Sequence, residues 1–216
     1  MEIRKMINGK MNLKKIISEK MKIRKKKPEY ILSIYFGVPG SGKTTMAAYL
    51  AKKDLKQGKN VWSNVPITGT NKLDTKLDIG KYDIYDGRVI IDEAGVEYNN
   101  RDFKNFSREQ LKFFKYHRHN KLVVDIFSQG YDDMDKKIRT LAQRLYVVKK
   151  SLIPYFIVIK RIAKKVDIDK LTKQIIDAYY FLPFPFGRKW IFAPLTWKLF
   201  NTYSREKLPE KVWEKW

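Results

Sequence analysis

Tyr30-Ile-Leu-Ser-Ile-Tyr-Phe36 runs directly into Gly37-Val-Pro-Gly-Ser-Gly-Lys43-Thr44, and this junction decides the fold. The first stretch is apolar and β-prone without polar alternation, as expected of a strand buried on both faces of a parallel sheet. The second satisfies the spacing of a P-loop, and Lys43 to Gln57, stopped by Gly58, reads as a helix. Strand, glycine loop and helix in that order form a phosphate cradle. Gly37, Gly40 and Gly42 let the backbone wrap closely, and Ser41, Lys43, Thr44 and Thr45 carry it into the helix N-terminus, whose N–H groups face an anion. Lys43 is assigned to the β/γ oxygens of the nucleotide and Thr44 to magnesium, so the expected ligands are ATP and Mg2+.

Beyond that helix, Asn60 to Val65 reads as a second strand, Gly69 to Gly80 as a polar excursion and Arg88 to Ile91 as a third strand. Phe106 to His117 is predicted helical, Leu122 to Phe127 a further buried strand, and Met134 to Arg144 a helix. Leu145 to Val148 and Tyr155 to Ile162 are β-rich and are expected to pair at one edge of the sheet. Strands alternating with helices predict an α/β protein, a P-loop NTPase with a mainly parallel sheet covered by helices. The expected organisation is a basic arm over residues 1–29, an ATPase domain over 30–165, and an aromatic and basic extension over 166–216.

Arg88-Val-Ile-Ile-Asp92-Glu93 is an apolar strand that ends in two acids. Asp92 should emerge at the carboxyl edge of the sheet near Thr44, to hold the magnesium shell, with Glu93 placed to orient and deprotonate a water. The strand from Lys121 ends in Ser128-Gln129-Gly130, so Ser128 or Gln129 is a candidate sensor of the γ-phosphate; the alternative is an ordinary polar strand end. A ring-forming ATPase also needs an arginine from a neighbouring subunit, for which Arg118, Arg139 and Arg144 are candidates, Arg118 foremost. His117 and His119, two apart and without cysteine nearby, make a poor zinc pair.

The charge points to a polyanion: 46 Lys and Arg against 23 Asp and Glu give a net charge of +23. Residues 1–29 hold eleven basic residues against three acids, so most of the excess lies elsewhere in the chain. Apolar residues spaced among the lysines of Met1 to Lys27 are partly compatible with a basic amphipathic helix. A solvated extension, adhesion to DNA and adhesion to an anionic membrane surface all fit it. The stretch Phe181 to Trp197 is proline-broken and aromatic, suiting either a loop packed on the core or a partner- or membrane-interface segment. The absence of cysteine, of a secretory leader pattern and of a long apolar run predicts an intracellular location, with peripheral contact at the inner face of the cell membrane as an option.

Gly37 to Thr44, Gly58-Lys-Asn-Val-Trp-Ser-Asn64, Val89 to Gly95 and His117-Arg-His119 together resemble the zonular occludens toxin-like family, which includes the assembly ATPases of filamentous phages. The resemblance covers Tyr30 to Val148, with a weaker echo at Phe200-Asn-Thr-Tyr203. It implies an ATPase related to DNA-pumping motors, working as a homo-oligomer, expected to be a ring, on a phage or viral genome. Filamentous-phage members carry a transmembrane helix and an outer domain after the ATPase part. Neither is visible here, which suits a packaging motor that recruits a capsid or a separate membrane protein. Two other readings stay open: a P-loop small-molecule kinase, and a nucleotide-gated scaffold at a membrane surface.

Overall fold

In the computed structural model, residues 29–94, 98, 107–168, 175–183 and 187–201 are described. The basic arm up to residue 28, the expected helix start at Phe106, Gly95 and Tyr203 lie outside them.

β1 (Leu32–Phe36) is the centre of the sheet. Its side chains are buried on both faces and alternate between two cores. Leu32 and Ile34 join Val89, Ile91, Val124, Ile126 and Phe114 on one side. Tyr35 meets Met46, Ala47, Ala51, Ile90 and Phe127 on the other. Two-sided burial is why the strand reads as an unbroken apolar run. The chain then gives α1 (Lys43–Leu55), β2 (Asn60–Ser63), the two-residue β3 (Asn71–Lys72) and β4 (Gly87–Ile91). It continues with α2 (Arg108–Tyr116), β5 (Leu122–Ser128), α3 (Lys136–Leu141), β6 (Arg144–Lys150), β7 (Phe156–Ile168), β8 (Ile175–Phe181) and β9 (Arg188–Phe192).

The strand order is β3-β2-β4-β5-β1-β6-β7-β8, with β9 also paired to β7. Every pairing from β3 to β6 is parallel, and those of β7 with β6, β8 and β9 are antiparallel. The sheet is thus mainly parallel and carries α1 on one face and α2 with α3 on the other, the P-loop NTPase arrangement. β5 lies between β1 and β4, so the loop after β1, the end of β5 and the acids after β4 share one edge.

Two expectations change. The helix predicted over Met134 to Arg144 is confined to Lys136–Leu141. Asp135 caps its start by accepting from the Lys137 N–H at 2.6 Å. Its end is set by Gln143, which exchanges bonds with Leu32 through side chain and backbone (2.6 and 3.0 Å), so Arg144 becomes the first residue of β6. The second change is at the carboxyl end. β6 and β7 pair as expected, but not at an edge, because β8 and β9 lie end to end along the far side of β7. The proline-broken stretch therefore holds a strand, Arg188–Phe192, followed by two short 3-10 turns, rather than a loop alone. Its pattern was hidden because only Ile191 of the strand is buried. Among the described residues no helix is long and apolar enough to cross a membrane.

Candidate functional site

The loop between β1 and α1 is held by contacts that only glycine permits. A Cβ on Gly42 would stand 2.6 Å from Ile157 Cγ2, and the residue also has φ +100°. This left-handed residue is the N-cap of α1, and no side chain caps it, which leaves the N–H groups of the first helical turn free to meet an anion. Gly40 turns at φ +71° on the exposed crest of the loop. Ser41 lies buried below, donating its N–H to Val38 O at 3.1 Å, and its Oγ has no partner. Thr45 is buried in the first turn of α1.

Lys43 Nζ donates to the carbonyls of Gly37 and Val38 (2.8 and 3.2 Å), so the loop itself holds its charge. Burial lowers its pKa below the ordinary lysine value, and the fields of Asp92 and Glu93 oppose that shift. Thr44 Oγ1 donates to Asp92 Oδ2 at 2.9 Å, bringing together the two residues assigned to magnesium. A hydroxyl and a carboxylate suit a small hard cation, so the donor set fits Mg2+. The buried Oγ atoms of Ser41 and Ser128, both without partners, fit a phosphate-bearing ligand by the same reasoning.

Asp92 is buried, whereas Glu93 is exposed at the end of β4 with φ +54°. A non-glycine residue in that region must be held there by its surroundings. Ser128 pairs in register with Phe36, the last residue of β1, and its carbonyl accepts from Gly37 N–H at 3.3 Å. Gln129 follows it on the surface. Gly37, Lys43, Thr44, Asp92, Glu93 and Ser128 therefore converge at one edge.

Arg118 does not. It lies exposed in the turn between α2 and β5, where Leu122 N–H donates to His117 O at 2.8 Å, at the amino edge of the sheet. It cannot meet a nucleotide on its own chain, and any action there would be on a neighbour's. Arg144 also starts at that edge and pairs with Glu29 at 2.6 Å, while Arg139 pairs with Asp132.

Sequence reading left three groups unassigned. Lys150, at the carboxyl end of β6, places its Nζ 3.8 Å from where a Gly40 Cβ would be, beside the loop. Asn64, singled out only through the family resemblance, bonds both backbone groups of Asp92. Arg88 joins Asp54 of α1 at 2.7 Å and also Asp125 of β5, in a buried network between the far end of α1 and the sheet. Asp125 alone had a sequence signal, as an acid inside the apolar run Leu122–Phe127.

A model of the zonular occludens toxin (Zot) family matches residues 68–207, more than half of the chain; of the stretches that carry the resemblance it takes in Val89 to Gly95, His117-Arg-His119 and Phe200 to Tyr203, and it begins after Gly37 to Thr44 and Asn64. Among solved structures, the N-terminal domain of zonular occludens toxin from Neisseria meningitidis aligns with 80% of this chain and 99% of its own, at 19% identity and a TM-score of 0.51. The genome packaging NTPase B204 of Sulfolobus turreted icosahedral virus 2, in complex with ATP-gammaS, aligns over 68% of this chain and 96% of its own (13% identity, TM-score 0.44). The flagellar accessory protein FlaH of Methanocaldococcus jannaschii aligns over 62% and 78% (14% identity, TM-score 0.44). No curated protein matches the chain. By the extent of the family match, the chain belongs to the zonular occludens toxin family.

Proposed function

We propose that the protein is an ATPase that couples hydrolysis of Mg-ATP to packaging, assembly or export of phage or viral DNA, acting as a homo-oligomeric ring. The observation that carries the ATPase reading is the convergence of Lys43, the Thr44–Asp92 pair and Glu93 on one glycine loop. Thr44 and Asp92 would hold magnesium, which when bound neutralises charge on the β- and γ-phosphates. Lys43 exchanges the Gly37 and Val38 carbonyls for phosphate oxygens. Glu93 orients a water and takes its proton as the water oxygen bonds to the γ-phosphorus; the bond to the β-phosphate oxygen breaks, leaving ADP and inorganic phosphate. Ser128 and Gln129 are assigned to sensing the γ-phosphate, a reading that the unpartnered, buried Ser128 Oγ beside the end of β1 supports. Arg118 is assigned to a neighbour's nucleotide, because it faces away from its own.

The net charge of +23 supports a nucleic-acid cargo gripped through its phosphates. Recruitment to a capsid or a membrane protein, in the host cytoplasm or at the inner face of its membrane, completes this reading. Exposed Leu152, Tyr155, Trp190 and Trp197 favour a second one, a scaffold at a membrane surface. The deciding experiment measures phosphate release by the full chain, without any acceptor, in the presence and absence of single- and double-stranded DNA, with Glu93→Gln as control. DNA-stimulated release abolished by the substitution supports the motor. Release indifferent to DNA, together with binding to anionic liposomes, supports the scaffold, and dependence on an acceptor would indicate a kinase.

A further inference from the structure

We infer that Asn64 is a positioning residue for hydrolysis, acting on Glu93 through the backbone of Asp92. This rests on the ATPase reading above. Asn64 follows the last residue of β2, and its own N–H donates to Ile90 O at 3.3 Å, which carries its side chain to the edge where β4 ends. There its Oδ1 accepts from Asp92 N–H at 2.7 Å and its Nδ2 donates to Asp92 O at 2.9 Å. β4 stops at Ile91, so one side chain takes over both backbone groups that the strand ladder no longer pairs.

The Asp92 carbonyl belongs to the peptide that leads into Glu93. Holding its oxygen fixes the plane of that peptide, and Glu93 leaves the plane at φ +54°, a conformation that a free chain would abandon. The Asp92 carboxylate has partners of its own: Oδ1 accepts from Glu93 N–H at 3.0 Å and Oδ2 accepts from Thr44. Only a primary amide of this length supplies the acceptor and the donor together. Aspartate, nearly the same shape, would set an oxygen against the Asp92 carbonyl, and alanine would leave both groups unpaired.

The test compares the full-length protein with Asn64→Ala and Asn64→Asp. A positioning role predicts that kcat falls roughly 10- to 100-fold in both. KM for ATP and affinity for a non-hydrolysable ATP analogue should stay within about twofold, because the phosphate loop is untouched. Amide hydrogen exchange in the nucleotide-free protein supplies a readout independent of turnover: the peptide containing Asp92 should exchange faster in both variants. Wild-type kcat in Asn64→Asp, unchanged exchange, or losses of kcat, affinity and melting temperature in parallel would each overturn the inference. Failure of the ATPase reading looks different: no hydrolysis by the parent, or Glu93→Gln as active as the parent, with the exchange arm still reporting on the clamp.

Discussion

Gly37, the first residue of the phosphate loop, lies with its α-carbon against the backbone of Val148 on β6, where a Cβ would stand 2.3 Å from the Val148 carbonyl oxygen. The obstacle is backbone one residue past the last register pair of β1 and β6, Phe36 with Val147, so it cannot swing aside as a side chain could. Gly37→Ala must push β1 and β6 apart at the point where the loop begins. We expect a loss of about 1–3 kcal/mol in denaturant unfolding. Affinity for an ATP analogue should weaken as well, read by fluorescence titration. Unchanged values of both would show that the strands part freely here.

Arg88 is the hub of a buried network, linked to Asp54 and Asp125, and all three side chains are nearly inaccessible. Burial raises the pKa of Asp125, with Arg88 pulling it back down, and burial likewise opposes the charge of Arg88 until the two carboxylates outweigh it. Arg88→Met would leave buried Asp125 without its cation and Asp54 with only the 4.0 Å contact to Lys59, and should cost about 3–5 kcal/mol. Adding Asp54→Asn and Asp125→Asn should restore a large part, since no buried charge would remain. Urea unfolding of the single and triple variants checks this, and equal stability of the two would mean that the charges are not coupled.

What was legible in the sequence follows from the range of the interactions involved. Phe36 to Thr44 announces its geometry because a phosphate loop is local, and Ile91-Asp92 shows a strand end because burial of β4 is two-sided. The end of α3 was not legible, since Gln143 stops the helix by binding Leu32, 111 residues away. The β9 pairing was equally hidden: Lys160 meets Arg188 although the rest of β7 and all of β8 lie between them in the chain, and nothing in the five residues Arg188–Phe192 alternates clearly. At the site, residue types pointed to Thr44 and Asp92, whereas the hold of Asn64 on Asp92 spans 28 residues and leaves no spacing rule behind.

His117 gives the fold a dependence on pH. Its Nδ1 lies 2.7 Å from Phe114 O, and its buried ring also lies against the Tyr30 backbone. Burial lowers its pKa below the ordinary 6.5, the Phe114 contact opposes that shift, and Arg118 adds to it. Below that value the unfolded chain takes up a proton that the folded protein resists. Stability is therefore full above 6.5 and declines as pH falls through it. His117→Gln keeps a donor for Phe114 and does not titrate. Between about pH 7.5 and pH 5 the parent should lose stability relative to this variant, by at most about 1.4 kcal/mol per pH unit. A difference that stays constant with pH would assign the decline to other groups.

Ser128 separates the needs of the fold from those of the ligand. Its Oγ is fully buried without a partner, beside the last residue of β1, and an unpaired buried hydroxyl costs about 1–3 kcal/mol. In the nucleotide-free protein Ser128→Ala should therefore be neutral or mildly stabilising. If the hydroxyl answers the γ-phosphate, the same substitution should reduce the thermal shift caused by an ATP analogue while leaving the shift caused by ADP intact, because only the former carries the group it would meet. Gln129→Ala, altering an exposed side chain, should leave the nucleotide-free melting temperature unchanged. A Ser128→Ala protein that responds to both nucleotides like the parent would make the residue a polar strand end, and the sensing of hydrolysis would pass to Gln129.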